Sequence, residues 1–222
     1  MVAERCAMGE ERYVDTLIRA FERARDADDL YVEGVRAVGE TIDQLFDLTF
    51  YELHGLELEH CSFVGTSMAK VSLYDCTLVG CDLSNANLDQ AYFARTRLVD
   101  CKLEGAQMHK VFFRSTRLKD CMCRYVNLGE AKIEGSSLVG CDLRESFANE
   151  VRFARASRLE HCNLERADLF GTRLRDMDVS TCNIAGIMVG DNHLELRGMR
   201  ISPHQAVDLV GLLGVKVLDG DE

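Results

Sequence analysis

The amino-acid sequence predicts an all-β solenoid, namely a right-handed quadrilateral parallel β-helix of about 7–8 coils. One observation behind this prediction is an apolar residue at every fifth position from Leu48 to Phe153 and again from Leu159 to Met199. The other is a cysteine at every twentieth position within the same stretch. Repetition at a fixed period is the signature of a solenoid, in which each unit buries its apolar side against its neighbours.

Each five-residue unit is predicted to be a short extended side followed by a corner. A small or β-branched residue stands two positions before each apolar centre, as Ala86 does before Leu88. Alternate residues of an extended chain point to the same face, so both members of such a pair are expected to face the interior. The residues between and after them, such as Asn87 and Asp89, are polar and are expected to face water.

The cysteine spacing predicts how many sides form one coil. Residues that stack on one another in a solenoid recur once per coil, so a spacing of twenty residues predicts four sides of five residues. One extra residue enters within residues 154–158, and the series continues after it. The predicted core column consists of Cys61, Cys81, Cys101, Cys121, Cys141, Cys162 and Cys182.

Composition narrows the class of protein. The chain has 222 residues and a net charge of −11, which fits one domain or one domain with a small cap. Its charged beginning and its lack of any apolar run near about 18 residues predict a soluble, cytoplasmic protein that does not enter a membrane. Ten cysteines without a secretory signal indicate a reducing compartment. The acidic balance argues against direct binding of nucleic acid, which needs a basic patch.

Residues 1–46 precede the clear repeats and are expected to form a helical segment that caps the first coil. Residues 10–26 have the spacing of an amphipathic helix, with Val14, Leu17, Ile18 and Phe21 on one face. Residues 30–46 fit either a second helix or a strand of a degenerate first coil. The exposed backbone at an open solenoid end makes a cap of some kind necessary. The repeat body is expected to span residues 47–200.

Residues 201–222 are predicted to cap the other end with a helix. Ser202 is a good N-cap, Pro203 suits the first helical position, and Gln205 completes a capping box. Gly214 is placed to end the helix, and residues 215–218 are expected to form a short strand. The apolar residues predicted to form this cap are Ala206, Leu209, Val210, Leu213, Val215 and Val217.

The pattern contains no residues that favour catalysis, a metal site or a cofactor. A column of inward cysteines lacks the paired Cys-x-x-Cys loops typical of zinc sites, and buried thiols are poor nucleophiles. His60 beside Cys61 and His161 beside Cys162 suggest a Cys–His pair. Adjacent residues of an extended chain point to opposite sides, however, so histidine and thiol are not expected to meet. We therefore predict a protein that is not an enzyme.

Charge differs between the predicted sides. The side centred on Met68 and Leu88 is acidic despite Lys70 and Lys110. The candidate partner-binding residues on it are Asp47, Asp89, Glu130, Glu150, Asp168 and Asp191. The next side is basic and carries Arg95, Arg114, Lys132, Arg152, Arg155, Arg173 and Arg175. The alternative is that both are ordinary solvated faces.

The repeat resembles that of the pentapeptide repeat proteins, whose consensus is A(D/N)LXX. Residues 85–89 (NANLD) and 166–170 (RADLF) match this pattern closely, and the resemblance covers about residues 48–200. The segment 201–214 (ISPHQAVDLVGLLG) looks like the C-terminal element of the quinolone-resistance members. In those proteins that element caps the last coil and joins two subunits end to end.

The resemblance implies a possible partner. The quinolone-resistance members are acidic dimeric rods that occupy the DNA-binding surface of DNA gyrase or topoisomerase IV. It therefore implies DNA mimicry, one of these topoisomerases as partner, and a homodimer joined through the C-terminal end. Two alternatives stay open, a cap on a monomer and a scaffold for another protein partner.

Overall fold

The computed structural model describes residues 16–154 and 156–217. In this part of the chain, three-residue strands form two parallel seven-stranded sheets, with the odd-numbered strands in one and the even-numbered strands in the other. The strands are β1 (Tyr31–Glu33), β2 (Arg36–Val38), β3 (Glu52–His54), β4 (Glu57–Glu59), β5 (Ser72–Tyr74), β6 (Thr77–Val79), β7 (Tyr92–Ala94), β8 (Arg97–Val99), β9 (Phe112–Arg114), β10 (Arg117–Lys119), β11 (Lys132–Glu134), β12 (Ser137–Val139), β13 (Arg152–Ala154) and β14 (Arg158–Glu160).

The two sheets are two sides of a four-sided coil. We call the side with the odd-numbered strands side A and the side with the even-numbered strands side B. Sides C and D are the next two five-residue segments of each coil, such as residues 61–65 and 66–70. They pair through single parallel bridges twenty residues apart, such as Ser62 with Asp82 on side C. The predicted four-sided parallel β-helix is therefore confirmed.

The corners of sides C and D explain the five-residue period. The amide of Thr66 donates to the carbonyl of Phe63 at 3.1 Å, which closes a β-turn around Gly65. Gly65 has a φ of 67°, in the left-handed region. A positive φ at the third residue of such a turn reverses the chain sharply enough to start the next side.

The interior is a stack of apolar side chains with a file of small residues beside it. Leu83, Leu103 and Cys101 are fully buried. The small residues also hydrogen-bond: the hydroxyl of Thr96 donates to the carbonyls of Leu73 and Ala94, each at 3.2 Å. Where the small residue is Thr, Ser or Cys, its side chain can thus give a buried carbonyl a hydrogen-bond partner, and such a carbonyl would be costly to leave unpaired.

The solenoid begins earlier than the sequence predicted. Helix α1 spans Leu17–Asp26, and β1 already pairs with β3, Val32 lying beside Leu53. Of the two alternatives for residues 30–46, the strand is the observed one. Among the described residues of the predicted helical segment 1–46, only α1 is therefore helical. Positions 10–15 of the predicted helix, Val14 included, lie outside them. Phe21 packs on the first coil, and its carbonyl accepts the Tyr51 hydroxyl at 3.0 Å.

The other end differs from the strict repeat after Val189. Leu194–Leu196 form a 3₁₀ turn, and Glu195, instead of the predicted Leu194, is buried there. Helix α2 spans Pro203–Leu212. Residues 215–217 form no strand, because no backbone hydrogen bond ties them to another segment of the described residues, and that prediction was wrong for them. Leu218, the last residue of the predicted strand, lies outside the described part of the chain.

We expect Glu195 to make the C-terminal end of the solenoid acid-sensitive. Glu195 is 4% exposed, and its Oε1 accepts the amide of Gly171 at 2.9 Å. Burial alone raises the pKa of Glu195, but the backbone amides of Glu195, Gly171 and Gly190 outweigh it, so the pKa is lowered from its ordinary 4.5. A lowered folded-state pKa stabilises the protein above pH 4.5, and this stabilisation is lost as the pH falls through the folded value.

Urea unfolding of the wild type and of Glu195→Gln at neutral and acid pH measures this effect. The variant should lose about 1–3 kcal/mol at pH 7, since a charged acceptor of buried amides is replaced by a neutral one. The difference between the two proteins should shrink below pH 4.5. A difference that stays constant with pH would contradict the assigned role.

Candidate interaction surfaces

The structure places the six predicted acidic residues on side D. Asp47 and Asp168 are in bridge positions, Asp47 beside Ser67 and Asp168 beside Phe147. Glu130 and Glu150 occupy corners, each with a φ of 55°. Asp89 and Asp191 also lie on this side, which therefore runs the length of the coils.

Two of these carboxylates are part of the corner itself. Asp47 Oδ1 accepts the amide of Thr49 at 2.9 Å, and Asp168 Oδ1 accepts the amide of Phe170 at 3.0 Å. Asn87 makes the same bond to Asp89 at 3.1 Å. Aspartate and asparagine favour such turns because their short side chains reach the amide two residues on. This accounts physically for the D/N position of the repeat.

The acidity of side D is locally balanced. His109 Nε2 lies 3.1 Å and Lys110 Nζ 3.5 Å from Glu130 Oε1. The hydrogen bond from His109 and the positive charge of Lys110 lower the pKa of Glu130. Side D also exposes apolar side chains towards its later coils, Phe147 and Phe170 among them. It is thus a mixed surface with an acidic excess.

Side A carries a file of aromatic rings that the sequence analysis missed. Tyr31, His54, Tyr74, Tyr92 and Phe112 follow one another across β1 to β9. The centroid separations are 4.9, 4.5, 5.5 and 5.3 Å. Tyr31 is 41% exposed and the other four are partly exposed. We call these five residues the ring file.

Cations extend the ring file on the same side. Lys132 Nζ lies 4.5 Å from the centroid of Phe112. Arg152 is in register with Lys132, and Arg114 is exposed in the neighbouring outward column. Arg95 of the predicted basic side is paired with Asp75 at 2.6 Å. Arg173 and Arg175 lie one coil further on, and Arg155 is outside the described residues.

The geometry of the ring file restricts what it can bind. Each inner ring has a neighbouring ring on both sides, with centroids at most 5.5 Å apart, so no gap between successive rings is wide enough for a nucleobase or a sugar to stack there. Tyrosine hydroxyls and ring edges, which carry the positive end of the aromatic quadrupole, remain for contacts. With the cations beside it, this surface suits acidic and aromatic side chains of a protein.

The cysteine column is a single buried file. All seven thiols are buried, and the residues that follow them pair from coil to coil, as Ser62 does with Asp82. Their thiols donate to backbone carbonyls: Cys101 Sγ, for example, lies 3.5 Å from the carbonyl of Leu78 and 3.4 Å from that of Val99. Burial raises the pKa of Cys76, a thiol in the neighbouring column, to about 11, so it is protonated at neutral pH. His60, beside buried Cys61, is exposed. In residues 16–154 and 156–217, no group of three His, Cys, Asp or Glu side chains is arranged to hold a metal ion.

Comparison with known families agrees with this architecture. Residues 51–128 match the pentapeptide repeat region, and residues 154–184 match the pentapeptide repeats (8 copies). The chain belongs to the pentapeptide repeat proteins. No curated protein matches its sequence. In the part of the chain that is described, no helix has the length and apolarity needed to cross a membrane.

Solved structures of pentapeptide repeat proteins are similar to the chain. HetL from the cyanobacterium Nostoc sp. strain PCC 7120, which is involved in heterocyst differentiation regulation, is 19% identical over 82% of this chain and 91% of its own, with a TM-score of 0.54. Full-length QnrB1, a plasmid-mediated fluoroquinolone resistance protein, is 16% identical over 83% of this chain and 100% of its own, with a TM-score of 0.34. Rfr23 from the cyanobacterium Cyanothece 51142 is 17% identical over 83% and 99%, with a TM-score of 0.22. At 19% identity the likeness to HetL shows the fold alone.

Proposed function

We propose that the chain is a non-enzymatic cytoplasmic binding protein that docks a protein partner along side A. The observation that carries this proposal is the ring file and its continuation into Lys132 and Arg152. Tyrosine and arginine are among the residue types enriched at the energetically dominant positions of protein interfaces. A contiguous, partly exposed row of aromatic side chains is unusual for a surface that meets only water.

The charge of side A indicates the kind of partner. The chain as a whole carries a net charge of −11, so a local basic surface attracts an acidic partner while the rest of the protein repels it. Such a field orients the partner on side A as it approaches. An acidic partner with exposed aromatic residues fits both parts of the surface.

Stacked rings also stabilise neighbouring strands, and a matched pair of variants separates this role from binding. The double variant Tyr74→Ser, Tyr92→Ser removes two rings from the middle of the ring file. The control Val79→Ser, Val99→Ser changes partly exposed side chains on the corresponding strands of side B. We expect the first variant to weaken binding to a purified partner about tenfold or more. Affinity capture followed by calorimetry on the identified partner measures this. Equal binding by both variants would refute docking on side A.

The second candidate is binding of DNA gyrase or topoisomerase IV by DNA mimicry. What supports it is the acidic excess of side D, the net charge and the apolar C-terminal end. Leu213 is 67% exposed, and Val215 and Val217 are each 53% exposed, so an apolar surface is available for a homodimer. Leu209 packs on the core, in keeping with a cap, while Ala206 and Val210 are half-buried.

Supercoiling and quinolone-poisoning assays test this second candidate. The protein should inhibit supercoiling at high concentration or relieve poisoning at lower concentration, and Asp89→Asn with Glu130→Gln should weaken either effect. Light scattering should give twice the 24.9 kDa chain mass, returning to the chain mass in Leu213→Asp. No effect on either topoisomerase over a wide concentration range would leave the side A proposal alone.

A further inference from the structure

Both sheets end before the solenoid does. β13 and β14 are the last strands of their sheets, although another coil, residues 172–191, follows them. No backbone hydrogen bond joins residues 152–154 to 173–175, or 158–160 to 178–180. Sides C and D stay connected across the same step: the amide of Asn183 donates to the carbonyl of Cys162 at 2.9 Å. This last full coil is therefore bonded through its backbone on sides C and D. On sides A and B its backbone is separated from that of the preceding coil, and corner side chains connect the two, as where the amide of Val151 donates to Thr172 Oγ1 at 2.7 Å.

The cause of this separation is in the sequence. One extra residue enters within residues 154–158, and the corners of sides A and B change after it. In the last coil the amide of Met177 donates to the carbonyl of Leu174 at 3.0 Å, which closes a β-turn where earlier coils have a strand and a bend. The turn backbone does not present its amides and carbonyls as an extended strand does, so the ladder bonds are absent here.

The separation leaves a cleft of about 390 Å³ on side A. Its lining residues are Glu150, Val151, Arg152, Phe153, Gly171 and Arg173. Three backbone groups of this segment point towards the next coil, namely the amide of Phe153 and the carbonyls of Val151 and Phe153. None of them has a hydrogen-bond partner among the described residues. Phe153 is also partly exposed, whereas Phe93 and Phe113 on earlier strands of the same sheet are fully buried.

The charges around the cleft favour an acidic ligand. Arg152 and Arg173 are exposed, and within the described residues neither guanidinium has an ion-pair partner. Glu150 lies at the rim of the cleft, where its carboxylate disfavours binding of a small, densely charged anion. The same carboxylate can accept a hydrogen bond from a backbone amide of a bound peptide. Alternating unpaired amides and carbonyls at a strand edge match the backbone of an extended peptide.

We propose that this cleft binds an extended acidic peptide segment of a partner protein by strand addition to β13. The peptide backbone pairs with the free edge at Phe153, its carboxylates meet Arg152 and Arg173, and an apolar residue covers the exposed part of the Phe153 ring. The volume falls within the range of about 300–1,000 Å³ that holds small ligands, which is enough for a short segment. The inference goes beyond the proposed function because it depends on the β13 backbone and not on the ring file.

The test uses the full chain and a five-residue peptide of alternating valine and glutamate, acetylated and amidated at its ends. Amide NMR should show saturable binding, with the largest shift at Phe153, and slower hydrogen exchange of that amide in the complex. Arg152→Glu with Arg173→Glu should weaken binding about tenfold or more, because two charged contacts become repulsive. The matched control Arg117→Glu, an exposed strand position on side B, should leave the affinity unchanged.

Two further peptides separate the possible outcomes. Replacing glutamate by lysine should abolish binding, and N-methylation of the peptide amides should abolish it as well, since strand pairing needs them. Equal binding of the N-methylated peptide, or complete competition by inorganic phosphate, would indicate an anion clamp and overturn strand addition. Absence of binding, or shifts confined to the ring file, would also overturn it. Variants at Tyr74 and Tyr92 should not change binding of the peptide to the cleft. The experiment can therefore refute strand addition to β13 without refuting docking of a partner on the ring file, and the reverse.

Discussion

Replacing Leu103 by aspartate should lower the free energy of unfolding by several kcal/mol, at or above the range of about 2–5 kcal/mol typical of severe core truncations. Leu103 is fully buried on side C, midway along the solenoid. A carboxylate there must either remain charged without a partner or take up a proton, and both cost free energy. In a solenoid each coil contacts only its neighbours, so damage at the centre weakens both halves. Urea unfolding followed by circular dichroism measures the loss.

Asp89→Asn is the matched control for this experiment. Asp89 faces outward, and its Oδ1 accepts the amide of His109 at 3.1 Å, a bond that the asparagine carbonyl can also accept. The change should therefore cost less than about 0.5 kcal/mol. If the two variants unfold at the same urea concentration, the assignment of inward and outward positions is wrong.

Replacing Gln205 by glutamate should detach the C-terminal cap. Gln205 is 6% exposed, and its Nε2 donates to the carbonyls of Val179 and Cys182 at 2.8 and 2.6 Å. Its Oε1 accepts the amide of Ser202 at 2.7 Å. Glutamate keeps the bond to Ser202 but brings a carboxylate against two carbonyls, so we expect a loss of about 2–5 kcal/mol from the packing of α2.

Hydrogen exchange of the α2 amides, together with the melting temperature, measures this detachment. His204→Ala, an exposed change on the same helix, serves as the control and should leave both nearly unchanged. The amides of the central coils should keep their protection in either variant, because the cap contacts only the last coils. Unchanged exchange in Gln205→Glu would show that α2 is held by its apolar contacts alone.

Sequence periodicity was sufficient to predict the fold of the repeat body because every five-residue unit favours the same backbone conformation. A five-residue step sets the length of a side, and the twenty-residue cysteine spacing sets the number of sides. Local preference agrees with the tertiary arrangement at each corner, as when Asn87 satisfies the amide of Asp89. A unit that departs from the pattern can then still be assigned, because the neighbouring units fix its position in the repeat.

The ends and the interruption could not be predicted in the same way. At Val32 and Ala37 the five-residue step is present, but the flanking residues do not distinguish a strand from a helix. The extra residue within 154–158 was visible, yet nothing in its sequence indicated that the ladder would open beside it. Gln205 was recognised as part of a capping box, whereas its bonds to Val179 and Cys182 depend on how the helix meets the last coil.

The candidate surfaces show a similar division. Charged residues could be assigned to sides by counting, and the six acidic residues do lie on side D. The ring file was missed because its members are divided between two outward columns: Tyr31 is in register with Glu52, whereas His54 is in register with Tyr74. Only the three-dimensional register brings these rings to distances of about 5 Å, the spacing of stacked strands.

Sulfur anomalous scattering from a crystal of the protein can decide whether the coils have four sides. In a four-sided solenoid the coils stack with one cysteine of the column in each. We therefore expect the sulfurs of Cys61, Cys81, Cys101, Cys121, Cys141, Cys162 and Cys182 in one row, with steps of about 4.8 Å. Sulfur peaks scattered through the molecule, or a row that skips coils, would contradict the four-sided cross-section and every surface derived from it.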